Sequence, residues 1–418
     1  MDNFNEEIKK EEENNSIENF LQKKTIYDIR SEEITLFSLV NPSKDYSLST
    51  FLIPPFISQN SPKFDPDDTE ECFTIRFNET DNKIACGFSS GRLGIFTLNK
   101  IGNLNKSNDN KEPEELEEET KEETKEDNLT KKNTINPSSF TELSDFPITC
   151  LRWKPHNKTI LLTVTANGLI HEIHSSSLKI LQKLEDKGNS LTCVDYSIDG
   201  NLFATGGNEK IVKLYDDTTK TIISKLESHS YYTSGHSNNI FAIKFNPYNQ
   251  NMLFSGGWDN TIVFYDIRAK EVQSYLYGPH ICGDGIDIKD NLLLSVSWDK
   301  KDQIQIWDLR NMKKDNNVVF QCTIPNEDEE SNTADDVSYL YSCRFNQKNS
   351  TFCVTGSKKN LMRIYDYHTF SKNNDIDISC KADRLHNPCY CCDYTSDGKV
   401  LAYGCSDSMV RLVNINNI

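Results

Sequence analysis

The sequence predicts an all-β fold, a seven-bladed β-propeller of four-stranded antiparallel blades, closed by an N-terminal strand and interrupted by acidic disordered inserts. Three observations predict it. A unit of short apolar-alternating runs separated by turn residues recurs along the chain, as it does when each unit is one blade. The third runs of the second to seventh copies end at residues 174, 216, 266, 308, 366 and 414, with gaps of 42, 50, 42, 58 and 48. Blades of about 40–45 residues plus loop inserts give such gaps. The last copy stops after its third run, which leaves an edge of unpaired backbone groups. A β-like run near the N-terminus is available to cover that edge. An eight-bladed ring is the structural alternative.

Taken in order, residues 1–24 carry seven acids and four bases with no aromatic clustering, and read as a disordered segment. The propeller domain is expected over 25–418. Two short β-like runs lie within KTIYDIRSEEITLFSLV (24–40), and Ser47 to Ile53 gives another, stopped by Pro54-Pro55 because proline cannot continue a ladder. Ser47 to Ile53 is the first candidate for the closing strand and Ile34 to Leu39 the second. The first repeat runs from about Cys72 to Leu98. An insert over about 99–145 follows, whose like-charge block KEPEELEEETKEETKEDN (111–128) reads as a solvated disordered loop or an acidic tail for a basic partner. The second repeat spans Pro147 to Glu185 and the third Ser190 to Glu227. The fourth spans Gly235 to Tyr277, after a loop containing Tyr231 and Tyr232. The fifth runs from about Pro279 to Ile324, an acidic loop covers 326–336, and the sixth and seventh complete the chain.

The fourth repeat is the most complete. It opens with Gly235-His236, turns through Ser255-Gly256-Gly257-Trp258-Asp259 and closes with Tyr265-Asp266. In these residues the chain resembles the WD-repeat family. The resemblance covers about residues 47–418 at the level of the fold, and says little of function because one fold hosts many. It implies a buried network of His236, Asp259, Ser255 and Tyr265. A buried carboxylate and imidazole are tolerated when hydrogen-bonded to each other and to a hydroxyl, so these four read as structural. They do not form a catalytic triad, which needs an accessible nucleophile and an oxyanion site.

The net charge is −17, but residues 1–24 contribute −3 and residues 111–128 contribute −7. The folded part is only mildly acidic, which disfavours a phosphate backbone as the general partner. The chain has no run of 18 apolar residues, so no membrane span is expected. No secretory or mitochondrial leader or lipidation motif is recognisable, and the thirteen cysteines then read as reduced thiols of the cytoplasm or nucleus. Cys150, Cys193 and Cys391 fall at one position of predicted first strands, where a small apolar side chain packs. The Cys389-Tyr390-Cys391-Cys392 cluster lacks a second ligand pair at metal-site spacing, and the histidines show no such spacing either. No catalytic, cofactor or metal site is expected, and an enzyme is not the reading.

Function then rests on surfaces. Trp258 and Trp298 each precede a turn aspartate in adjacent repeats. Exposed tryptophan near the centre of a face is a typical binding hot spot. Asn239, Phe241, Tyr231 and Tyr232 are expected on the same rim. Asn208, Lys358 and Ser406 hold the matching turn position elsewhere, so the patch is one-sided. On the opposite face Tyr265-Asp266-Ile267-Arg268 and Trp307-Asp308-Leu309-Arg310 each place arginine two residues after the closing aspartate. That pair resembles the box of WD-repeat substrate receptors of cullin–RING ubiquitin ligases, and implies that Arg268 and Arg310 would bind the ligase adaptor. Arginine there also pairs readily with a neighbouring aspartate. The expected function is a non-enzymatic scaffold, a monomeric propeller within a larger assembly that binds a peptide or subunit on its top face. The alternatives are a ligase substrate receptor and a propeller associated with nucleic acid or ribonucleoprotein. YGPHICGDGIDI (277–288) is unusual for a repeat, its glycines suggesting a fixed irregular loop.

Overall fold

The computed structural model describes residues 28–29, 48–52, 70–98, 137–226, 235–311, 318–324, 338–357, 361–367, 378–382, 388–407 and 409–415. These residues build seven antiparallel sheets, each one blade, with no α-helix among the described residues. Blade 1 comprises Cys72–Phe77, Lys83–Phe88, Arg92–Thr97 and Pro137–Glu142. Blade 2 comprises Ile148–Trp153, Ile160–Thr165, Leu169–His174 and Lys179–Glu185. Blade 3 comprises Leu191–Tyr196, Leu202–Gly207, Val212–Asp216 and Ile222–Leu226. Blade 4 comprises Ile240–Phe245, Met252–Gly257, Thr261–Asp266 and Glu271–Tyr277. Blade 5 comprises Ile286–Lys289, Leu292–Val296, Ile304–Asp308 and Val318–Cys322. Blade 6 comprises Leu340–Phe345, Thr351–Gly356, Met362–Asp366 and Ile378–Ala382, with Asp28–Ile29 parallel to its last strand. Blade 7 comprises Cys389–Tyr394, Val400–Cys405 and Met409–Asn414, with Leu48–Leu52 as its fourth strand. Leu48–Leu52 runs antiparallel to Met409–Asn414, Leu48 opposite Val413 and Leu52 opposite Met409.

One difference from the sequence reading concerns the acidic insert. Its expected span, 99–145, contains the fourth strand of blade 1, Pro137–Glu142. That strand is short and polar; it pairs with Arg92–Thr97 and carries one aromatic that packs inward. Phe140 packs on Phe96 and Phe88, with ring centroids 5.6 and 6.5 Å away. Residues 1–24, the charged block 111–128, the loop 326–336, Tyr231, Tyr232, Lys358 and the stretch Ile34 to Leu39 lie outside the described residues.

The first strand of each blade lines the ring's centre, and its pattern has a specific cause. In blade 4 Ile240 pairs with Gly257 and Ala242 with Gly256, so Phe241 is an extra residue, a β-bulge. The bulge resets the alternation, which is why Ile240, Ala242, Ile243 and Phe245 are all buried. The same shift occurs in blades 1, 2, 3, 6 and 7. It leaves Phe73, Thr149, Thr192, Tyr341 and Tyr390 as the extra residues, unpaired in the ladder and re-aimed.

Blades pack face to face on apolar clusters. Leu214 and Ala204 of blade 3 meet Ile243, Leu253 and Tyr265 of blade 4. Across the junction between the last and first blades, Cys391, Ala402 and Leu412 meet Cys72, Ile75, Phe88 and Phe96. Cys150, Cys193 and Cys391 are buried in such clusters, and burial pushes the Cys193 and Cys391 thiols up. Aspartates stitch adjacent blades at every second junction: Asp195 Oδ2 accepts the Phe245 N–H, Asp287 Oδ2 that of Phe345, and Asp393 Oδ2 that of Phe77, each at 2.9 Å.

Candidate protein-interaction surfaces

The network expected in blade 4 is connected. His236 Nδ1 lies 2.8 Å from Asp259 Oδ2, and Nε2 lies 2.6 Å from Ser255 Oγ, which is 3.5 Å from the Tyr265 hydroxyl. An Nδ1–H donating to the carboxylate leaves Nε2 to accept from the serine. Asp259 also accepts from the Ser237 amide and the Thr261 hydroxyl. Its carboxyl is held below the usual range by His236 and these donors, against the opposing effect of burial. The four side chains are thus engaged with one another, with the imidazole buried.

Blade 5 has lost half of this network. Trp307 Nε1 donates to Ser295 Oγ at 2.9 Å, but no imidazole completes the chain. The nearby histidine, His280, faces elsewhere. Its backbone N–H donates to Ser297 Oγ at 2.9 Å, its carbonyl accepts from the Trp298 N–H at 2.7 Å, and Nδ1 lies 2.6 Å from Asn260 Oδ1.

That placement completes a line of rings. Trp258 and Trp298 sit in the turns between the second and third strands of blades 4 and 5. Register brings the start of each first strand to the same face, because Ile240 opposes Gly257. At Gly257 a Cβ would lie 2.1 Å from the Asn239 carbonyl oxygen, so the backbones touch and Trp258 is set beside Phe241. Phe241 stacks on Trp258 at 4.9 Å and 29°, Trp258 on His280 at 6.0 Å and 15°. His280 continues to Trp298 at 6.5 Å, and Trp298 to Tyr339 at 4.6 Å. Cys282 neighbours the Trp258 ring, and Tyr341 neighbours the Trp298 ring. Burial pushes the Tyr341 phenol up, so it stays neutral. From Tyr341 the aromatic surface continues to Tyr390 at 5.2 Å and on to Phe73 at 5.5 Å. Tyr390 OH donates to Glu71 Oε1 at 3.0 Å. Trp258 and Trp298 remain 37% and 38% exposed.

Of the rim residues expected from sequence, Trp258, Trp298 and Phe241 come together. Asn239 lies beside them but contributes its backbone, its carbonyl accepting the Trp258 N–H at 3.0 Å. Tyr231 and Tyr232 lie outside the described residues. His280, Tyr339, Tyr341, Tyr390 and Phe73 escaped the sequence reading. A signal for four of the innermost-strand rings existed, since Phe73, Phe241, Tyr341 and Tyr390 all follow the first residue of a first strand. Blades 2 and 3 offer Thr149, Thr192 and Asn208 instead, so the aromatic surface is one-sided. Such a surface presents large, pre-oriented apolar area with little side-chain entropy left to lose.

On the opposite face, Arg268 and Arg310 follow the third strands of blades 4 and 5. Their side chains are 69% and 68% exposed. Each bends back to its own aspartate, Arg268 Nη2 at 3.1 Å from Asp266 Oδ2 and Arg310 Nη2 at 2.6 Å from Asp308 Oδ2. These pairs hold both carboxyls below their usual range. Among the described residues no group of three or more His, Cys, Asp or Glu is arranged to hold a metal ion. No helix there is long and apolar enough to cross a membrane.

Fold and surface together define a β-propeller of the kind that presents binding faces around a central channel. The protein is a WD-repeat protein: its residues 178–216, 227–266 and 378–414 match the model of the WD domain, G-beta repeat. Two of these matches begin on the fourth strand of one blade and end on the third strand of the next, so the sequence repeat is offset from the blade. The chain is 26% identical to Meiotic fizzy-related protein 2 of Schizosaccharomyces pombe, over 36% of this chain and 29% of that protein. It is 24% identical to Cell division cycle protein cdt2 of the same organism, over 54% of each chain. It is 21% identical to E3 ubiquitin-protein ligase COP1 of Arabidopsis thaliana, over 41% of this chain and 26% of that protein. The chain thus spans about half, or less, of the length of these curated relatives.

Proposed function

We propose that this protein is a non-enzymatic interaction scaffold, and that the aromatic rail Phe241–Trp258–His280–Trp298–Tyr339 is where it takes a peptide segment or subunit of a larger assembly. One observation carries the reading. Two tryptophans from adjacent blades are held in one row of packed rings yet leave more than a third of their surface to solvent. A side chain that is both fixed and exposed is what a hot spot requires. The test is photocrosslinking in the native cell. A photoreactive phenylalanine at position 298 should form a defined adduct, and one at Tyr248, exposed on the other face, should not. Equal labelling from both positions would remove the rail's claim.

A second reading is favoured by a separate observation. Arg268 and Arg310 are exposed on adjacent blades, each oriented by its own aspartate, and one similar protein is named as a ubiquitin ligase. In this reading the arginine face docks a ligase adaptor and the rail selects the substrate. The nucleic-acid reading has no comparable support, because the buried arginines of the channel are paired with carboxylates.

A further inference from the structure

The channel beneath the rail holds a charge arrangement with a different logic. The fifth residue of six innermost strands, and its register equivalent in blade 5, is charged: Arg76, Arg152, Asp195, Lys244, Asp287, Arg344 and Asp393. Neighbours pair around the ring. Arg152 Nε lies 2.9 Å from Asp195 Oδ1, Lys244 Nζ 2.9 Å from Asp287 Oδ1, and Arg344 Nε 3.7 Å from Asp393 Oδ1. These seven positions supply four cations and three anions.

A fourth anion comes from outside that register. Asp284 Oδ2 receives Arg152 Nη2 at 2.8 Å, Arg344 Nη2 at 2.6 Å, and Arg76 Nη2 as well. Guanidinium groups from blades 1, 2 and 6 thus converge on one oxygen sent in by blade 5. The arginine side chains are only 6–8% exposed and the carboxylate 17%. A guanidinium does not shed its proton, and a buried charge left without its partner is strongly unfavourable. With Asp284 the channel is neutral; without it one positive charge is uncompensated.

The backbone is shaped for this insertion. Where other blades carry the bulge residue, blade 5 carries Gly283-Asp284-Gly285. At Gly283 a Cβ would come within 2.5 Å of the Tyr341 carbonyl oxygen, and Gly285 N donates to Gly283 O at 2.8 Å. No side chain fits at Gly283. The same segment carries His280, the middle ring of the rail, and Cys282, a neighbour of Trp258.

We infer that the channel is an oxyanion site lined by Arg76, Arg152 and Arg344, filled by the chain's own Asp284 as a tethered carboxylate, and that this filling positions the His280 segment of the rail. The site itself is independent of the rail's function; only the positioning role rests on that reading. Asp284 is a positioning residue for binding, and the chemical class the site takes is a small oxyanion.

The experiment uses the full chain carrying Asp284→Ala or Asp284→Asn, with inorganic phosphate as the probe and chloride holding ionic strength constant. Both variants should melt below wild type and recover saturably with phosphate. Wild type and Asp284→Glu, which keep a carboxylate, should not respond. At saturating phosphate the Asp284→Ala variant should still bind the rail's partner more weakly than wild type, because a free ion cannot hold the loop. A phosphate response equal to that of wild type overturns the site. Full recovery of partner binding by phosphate overturns the positioning role. If a variant folds only when phosphate is present during purification, the site is supported; failure both with and without phosphate overturns it. Partner binding unchanged in Trp258→Ala/Trp298→Ala would sink the rail alone, leaving the phosphate titration to decide the site.

Discussion

His280 Nδ1 lies 2.6 Å from Asn260 Oδ1, and this contact helps set the imidazole between Trp258 and Trp298. His280 is half-buried and outside the blade cores. Replacing it with alanine should therefore leave the melting temperature almost unchanged while breaking the rail in the middle. Aromatic pairs contribute about 0.5–1.5 kcal/mol beyond their buried area, so partner affinity should fall by roughly three- to tenfold. Titration of wild type and His280→Ala with the same partner checks this; equal affinities would show that the ring is a bystander.

The blade 4 network makes a stability prediction. His236→Ala or Asp259→Asn strands buried partners, each at about 1–3 kcal/mol. Chemical denaturation should show the midpoint lowered with an unchanged slope. Unchanged stability in both variants would mean that the connected geometry of His236, Asp259, Ser255 and Tyr265 contributes little.

Two buried groups give opposite acid responses. Burial and Lys183 lower His171 from 6.5 to about 4, and neither ring nitrogen has a hydrogen-bond partner among the described residues. The unfolded chain takes up that proton first, so stability falls as pH drops from about 6.5 to about 4. Burial pushes Asp393 up from 3.8 to about 6. There the folded chain takes up the proton first, so stability rises as pH drops from about 6 to about 4. Thermal melts between pH 7 and 4.5 should be flatter for His171→Val and steeper for Asp393→Asn than for wild type. Identical slopes in the three proteins would contradict both assignments.

Removing residues 1–56 takes away the Leu48–Leu52 strand and uncovers Met409–Asn414 along its length. An uncovered strand edge promotes association, so the truncated protein should aggregate or melt without cooperativity. A soluble, cooperative product would show that the ring holds without that strand. Removing residues 101–136, which stops short of Pro137–Glu142, should leave a folded propeller. Loss of soluble protein would give that acidic segment a structural role.

The blades were legible because their cause is local. Alternation and turn residues recur in every copy, the Asp or Asn closing the third strand recurs from the third copy to the seventh, and the doubled apolar position Ala242/Ile243 already carried the bulge. Trp258 and Trp298 were legible by their matching places in adjacent repeats. Pro137–Glu142 was not, because a polar strand is held by tertiary contacts, its pairing with Arg92–Thr97 and the packing of Phe140 on Phe96, Phe88 and Arg92. His280 was hidden because it departs from the repeat: its conformation depends on Ser297 and Asn260, neither predictable from spacing. The channel was half-visible. A charge at the fifth place of apolar first strands stands out in the sequence, but the convergence brings Asp284 to Arg76, 208 positions away, which only the closed ring makes neighbours.

The central claim is that the rail is the binding surface, and one comparison tests it most directly. Full-length wild type, Trp258→Ala/Trp298→Ala and Arg268→Ala/Arg310→Ala would be purified from the native cell and their bound proteins identified by quantitative mass spectrometry. The scaffold account predicts that the tryptophan variant alone loses a defined set of subunits. Loss of a cullin adaptor from the arginine variant would establish the receptor reading alongside it. An unchanged set of partners in the tryptophan variant would contradict the account.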